Sequence, residues 1–178
     1  MKTIRLVSAA SALVLFTLGA PAQDFPKPGA EHEALKPLAG VWDAHVKCSL
    51  PTPQESKGEY TAKIDLGGFF LVTEFKGELA GKPFQGRGVT GYDPFKKKYV
   101  GTWVDSMSPG IYTSEGTFDK SGKVLTENME GPDPEGKPMK MRAVTQIKDS
   151  DHVHFQMHLR GEDGKDVLMM EIAYTRKK

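Results

Sequence analysis

The feature that most constrains this chain is turn chemistry recurring at short, even intervals, with alternating apolar and polar residues between the turns. From Gly40 onward such clusters fall at Leu66-Gly67-Gly68, Ala80-Gly81-Lys82, Asp93-Pro94, Lys120-Ser121-Gly122, Pro132-Asp133-Pro134-Glu135-Gly136, Asp149-Ser150-Asp151 and Asp163-Gly164-Lys165. Gly supplies positive φ and Pro presets φ, so each cluster can reverse the chain. A spacing of about 8–12 residues between such signals marks an all-β sandwich or barrel. Between them, Trp42, Ala44, Val46 and Cys48 alternate with Asp43, His45 and Lys47, and Tyr60, Ala62, Ile64 and Leu66 alternate with Glu59, Thr61, Lys63 and Asp65. A strand with that period has one dry face. The template predicts about ten strands, near 41–48, 57–66, 69–79, 83–92, 98–105, 111–119, 123–129, 139–148, 152–161 and 166–176. Hairpin-length turns make these an antiparallel meander, and closing it into a barrel removes its edges. The expected fold is therefore all-β, an antiparallel up-and-down barrel. Barrels of about eight to ten strands have room for a small ligand.

The first thirty residues read differently. Lys2 and Arg5 precede an uncharged apolar run, Leu6 to Leu18, and Ala20-Pro21-Ala22 offers small residues where a signal peptidase reads. The run is shorter than the roughly 20 apolar residues a spanning helix needs. Residues 1–22 are thus expected to be a signal peptide, cleaved after Ala22 to release an exported, periplasmic or secreted product without a stable membrane anchor. A Pro-rich tether (23–30) follows, then the barrel domain (31–178). Within that domain only Glu31 to Leu38 has helical character, a turn or two ending at Pro37 and Gly40.

Composition excludes several classes. The 178 residues carry 24 Lys+Arg against 23 Asp+Glu, interspersed, so no basic patch suits nucleic acid or an anionic membrane. The single Cys48 cannot form an internal disulfide, and no Cys/His spacing resembles a zinc site. In an oxidising compartment Cys48 is either buried, the favoured reading, or able to link two chains. A homodimer is left open.

Gly40-Val41-Trp42, on the first strand after a short helix, resembles the Gly-x-Trp motif of lipocalins and related calycin barrels. The resemblance implies that Arg176, in Tyr174-Thr175-Arg176 at the end of the last strand, packs over the Trp42 indole and closes the barrel base through a cation–π contact. Further motifs are Leu66-Gly67-Gly68-Phe69, Gly81-Lys82-Pro83-Phe84-Gln85-Gly86, Gly91-Tyr92-Asp93-Pro94 and the run Tyr99 to Ser106. In that order they resemble an exported bacterial family known as domain of unknown function 1579, over roughly Glu31 to Arg176. That family implies a lipocalin-like fold and transfers no catalytic or binding residues.

Candidate chemistry is sparse. His152, His154 and His158 share one strand face with Gln156, while Val153, Phe155, Met157 and Leu159 share the other. The apolar set needs the core, so the imidazoles should face solvent; a reversed strand would make them metal or haem ligands. Haem-binding nitrobindin-like barrels carry a Gly- and Tyr-rich extension of the first strand, and Asp43-Ala44-His45-Val46 stands here instead. The hydrolase signature Gly-x-Ser-x-Gly is absent, and Ser106 and Ser108 beside Asp105 read as a rim loop. Gly86-Arg87-Gly88 precedes no helix that could hold a phosphate, so its glycines read as strand glycines. Glu74 and Glu171 lie in apolar strands; outward placement is favoured, since an inward carboxylate needs a partner such as Arg87 or Arg142.

Phe69, Leu71, Phe75, Tyr92, Trp103, Phe118, Met141 and Met157 are candidates to line an apolar cavity, with Tyr92, Trp103 and Arg142 for polar contacts. The leading expectation is an exported barrel that binds a small, mostly apolar molecule without a cofactor, with Glu31 to Leu38 plugging one end. Its rivals are an enzyme of the same fold acting on a lipid-like or aromatic substrate, and an envelope scaffold with a filled core. The enzyme requires an interior carboxylate of perturbed pKa.

Overall fold

The computed structural model describes residues 26–79, 81–133, 135–161 and 164–178. The expected signal peptide (1–22) and the start of the tether lie outside the described residues. Ten strands follow one helical turn, α1 (Ala30–Glu33), and a 3-10 turn (Lys36–Leu38). They are β1 (Gly40–Cys48), β2 (Gln54–Asp65), β3 (Phe70–Leu79), β4 (Lys82–Asp93), β5 (Lys98–Asp105), β6 (Ser108–Phe118), β7 (Val124–Pro132), β8 (Pro138–Ile147), β9 (His152–Arg160) and β10 (Asp166–Arg176). Each pairs antiparallel with its sequence neighbours, and β10 pairs back onto β1 to close the barrel. The strands predicted from the sequence are all present. Three ends run three residues further than expected: β2 begins at Gln54, β6 begins at Ser108, and β7 continues to Pro132 opposite Pro138.

Asp side chains fix several reversals by accepting backbone N–H bonds. Asp119 accepts from Lys123 and Val124, and Asp149 accepts from Asp151. This is the local chemistry that makes Asp a turn former. Between β7 and β8, Asp133 holds Glu135 and Lys137 in the same way.

One end of the barrel is plugged by residues 30–39. Leu35 and Leu38 are buried against Trp42, Tyr99, Leu125, Ile147 and Val153. The Trp42 indole donates to the Leu38 carbonyl at 3.1 Å, and the Tyr99 hydroxyl donates to the Glu31 carbonyl at 2.9 Å. Arg176 lies 4.0 Å over the indole and donates to the carbonyls of Ser150, Ala39 and Pro37. Gly40 makes this possible: it sits at φ 145°, and a Cβ there would lie 2.1 Å from Nη1 of Arg176.

Candidate functional site

Side chains alternate across the barrel wall, so the pairing register decides which residues meet inside. Beyond the plug, whose Leu35, Leu38 and Trp42 also line it, the inward set fails to fill the lumen, leaving a cavity of about 580 Å³. Strands β2 to β5 contribute Tyr60, Phe75, Phe84 and Trp103 to one side, and β7 to β10 contribute Met129, Met141, Met157 and Met170 to the other. The methionines sit in cross-strand pairs, Met129 opposite Met141 and Met157 opposite Met170. Exposed Leu50 and Met107 stand at the rim.

A glycine keeps the lumen open. A Cβ on Gly86 would lie 2.0 Å from the Trp103 ring, so its absence lets the indole lie against β4. Asp105 fixes that ring by accepting from Trp103 Nε1 at 3.1 Å, while its other oxygen accepts from the Met107 N–H.

The polar centre of the cavity is Glu127. It shares the inward face of β7 with Leu125 and Met129, and Ser114 Oγ donates to its Oε1 at 2.8 Å. Burial pushes its carboxyl above the ordinary carboxylate range, against the partly offsetting Ser114 bond. Tyr60 and Tyr174 line the same cavity with ring centroids 5.0 Å apart. Burial pushes the Tyr60 phenol up to about 12, with Thr73 opposing and the Glu127 charge adding; Tyr174 is raised well above its usual value, again chiefly by burial.

Of the residues singled out in the sequence, Leu71, Phe75, Trp103, Met141 and Met157 line the cavity. Arg142 does not. It alternates with inward Met141, so it stands on the outer wall, 2.5 Å from Asp166, whose carboxyl the Arg142 hydrogen bond holds low. Tyr92 packs at the plugged end against Tyr99 and His32, and Phe69 packs at the β2–β3 corner, also against His32; neither lines the cavity. Phe118 likewise belongs to the plugged core. Glu74 lies outside, paired with Lys76 at 2.8 Å and Arg87 at 3.0 Å. His152 pairs with Asp149, and His154 stands 3.5 Å from Glu171, on the outer wall. His158 shares their phase, opposite Arg142. Among the described residues no group of three or more His, Cys, Asp or Glu side chains could hold a metal ion. Cys48 lines the cavity, and burial raises its thiol.

Sequence reasoning missed Glu127. The signal was the alternation itself: in Leu125-Thr126-Glu127-Asn128-Met129 the acid occupies the apolar phase.

The fold and site define a closed ten-stranded antiparallel barrel with a plugged base and an apolar interior cavity. The chain belongs to the family described as "Protein of unknown function (DUF1579)", which it matches over residues 27–176. No curated protein is similar enough in sequence to count as a relative. Its fold is similar to the crystal structure of Rv2717c from M. tuberculosis, with TM-score 0.65 and 18% identity, covering 84% of this chain and 99% of that chain. A redesigned β barrel, b11L5F_LGL, has TM-score 0.46 and 14% identity, covering 82% of this chain and 96% of its own. A de novo designed fluorescence-activating β barrel has TM-score 0.45 and 17% identity, covering 81% of this chain and 97% of its own.

Proposed function

We propose that this protein binds one small, mostly apolar molecule inside its barrel, in an exported compartment. The observation that carries the reading is the unfilled interior: about 580 Å³, walled by aromatic rings and thioethers, with a few convergent polar groups at Glu127, Ser114 and Tyr60. Ligand sites span roughly 300–1,000 Å³ and have this makeup. Methionine walls adapt to varied shapes, which suits a binder of a chemical class. A scaffold with a filled core does not fit an interior of this size. Export is supported by the signal-like pattern of residues 1–22.

Catalysis on the bound molecule is a second reading, favoured by one residue. Glu127, whose carboxyl burial pushes above the ordinary carboxylate range, is a group inside the cavity suited to exchanging a proton with a bound molecule.

The test is titration with N-phenyl-1-naphthylamine, uncharged at neutral pH. The expected result is enhanced, blue-shifted fluorescence saturating at one equivalent. No enhancement at any concentration would remove the binding reading. Native mass spectrometry of protein purified from its own envelope, showing a bound mass that changes with time, would favour catalysis.

A further inference from the structure

The cavity has an electrostatic sign. Three carboxylates line it, Glu127 within and Asp105 and Glu78 toward the mouth, and no Lys, Arg or His among the described residues does so. Asp105 is occupied by Trp103 and the Met107 N–H. Glu127 is not: Ser114 bonds Oε1, while Oε2 takes no hydrogen bond from a described residue and is open to the cavity. A solvated surface acid would satisfy both oxygens with water; an acid inside an apolar lumen is left needing a donor.

Resting on the binding reading above, we infer that the ligand is a lipophilic cation, an amine or quaternary ammonium on an apolar body, with its head beside Glu127 against the Tyr60 and Tyr174 rings. Ring faces attract a cation, and the walls supply them from Tyr60, Phe75, Trp103 and Tyr174. An anionic head would meet a carboxyl group and no positive charge, so its desolvation would go uncompensated. A neutral alcohol gains the hydrogen bond but not the charge.

The affinity is coupled to pH through Glu127. Bringing a cation to its carboxyl group favours the ionised form, so binding releases a proton. The titratable groups sharing the interior are Tyr60 on β2, Tyr112 on β6, Tyr174 on β10 and Cys48 on β1, with Glu78 on β3 and Asp105 on β5 toward the mouth. Tyr60, Tyr174 and the Cys48 thiol stay neutral through the window in which Glu127 ionises.

The experiment compares decylammonium, decanol and decanoate, equal in chain length, by calorimetric titration at pH 6.0 and 8.0. Decylammonium should bind at least tenfold tighter than decanol, and decanoate weakest. Decylammonium affinity should rise with pH while decanol affinity stays flat, a measurement that needs no variant. Glu127→Gln, checked by its melting curve, should cancel the preference for decylammonium over decanol. Equal binding of decylammonium and decanol, or a preference that survives in Glu127→Gln, overturns the inference while decanol binding keeps the apolar-ligand reading intact. Failure of all three to bind overturns both.

Discussion

The two ends of the barrel interior come from the same alternation of side chains and use it oppositely. At the plugged end, Trp42, Tyr99 and Arg176 each direct their polar atoms to carbonyls of residues 30–39 or of the Ser150 turn. Around them Leu35 and Leu38 complete a buried cluster. Beyond that cluster the lumen is left unfilled over about 580 Å³, and one oxygen of Glu127, which lines it, takes no hydrogen bond from a described residue. Stability is concentrated at one end, and binding capacity is left at the other. The two meet at Leu35, Leu38 and Trp42, which belong to the plugged cluster and also line the cavity.

Breaking the plugged end should cost most. Trp42→Ala removes the ring that seats Arg176 and the bond to Leu38, and should destabilise the fold by ~3–5 kcal/mol, as deletion of a buried aromatic does. An unchanged urea midpoint would sever the closure from stability. Gly40→Ala comes next. Its positive φ and the approach of Arg176 Nη1 should cost about 2 kcal/mol, less than Trp42→Ala because the guanidinium can shift. Gly40→Ala, at a residue that does not line the cavity, should bind N-phenyl-1-naphthylamine as the parent does while folded, whereas Trp42→Ala also removes a ring from the cavity lining.

The plugged end was also the more legible in sequence. Gly40-Val41-Trp42 and a terminal Arg176 are local marks, and the strands that carry them follow from period-2 patterning. The cavity was legible only in part. Leu71, Phe75, Trp103, Met141 and Met157 were found because they lie in the apolar phase of their strands. Arg142 was misplaced because its chemistry was weighed ahead of its phase: it alternates with Met141 and must stand outside. Tyr92 has the right phase and the wrong height, and height along the axis depends on stagger between strands, which no single strand encodes. Glu127 was overlooked because a charged residue in an apolar phase reads as an interruption, whereas here it marks the polar centre.

A pH experiment sharpens the contrast at the mouth side. Glu127 is raised by burial, so the folded protein keeps its proton longer than the unfolded chain does. Its contribution is fully present below the unfolded-chain value and is lost as pH rises through the raised folded value. Over that window it tilts stability downward with a limiting slope of about 1.4 kcal/mol per pH unit. Carboxylates with lowered values, such as Asp119 and Asp166, act oppositely and lose stability in acid. The difference between parent and Glu127→Gln isolates the interior group: Glu127→Gln should lack the downward tilt, and parallel pH profiles would show that Glu127 does not titrate in the lumen. Met157→Ala should cost less, about 1–2 kcal/mol, because the space it vacates joins an existing cavity. Probe affinity should fall about tenfold for the lost contact.

The smallest effect belongs to the outer wall, and it tests whether the wall separates its two faces. His154 and Glu171 stand 3.5 Å apart, with side chains 29% and 32% exposed. Such a pair is screened by water and contributes little. His154 lies between Val153 and Phe155 in sequence, both of which face the lumen, so it reaches the interior only through the backbone. His154→Ala should leave the melting midpoint and the affinity for N-phenyl-1-naphthylamine unchanged, and titration with haem should give the same absorption spectrum for variant and parent. A haem spectrum that depends on His154 would turn the strand around and bring the outer histidines into the site. An unchanged haem spectrum with weakened probe binding would point instead to β9 as a wall that yields when its outer face is altered, and the plugged end would then be the only rigid part of the barrel.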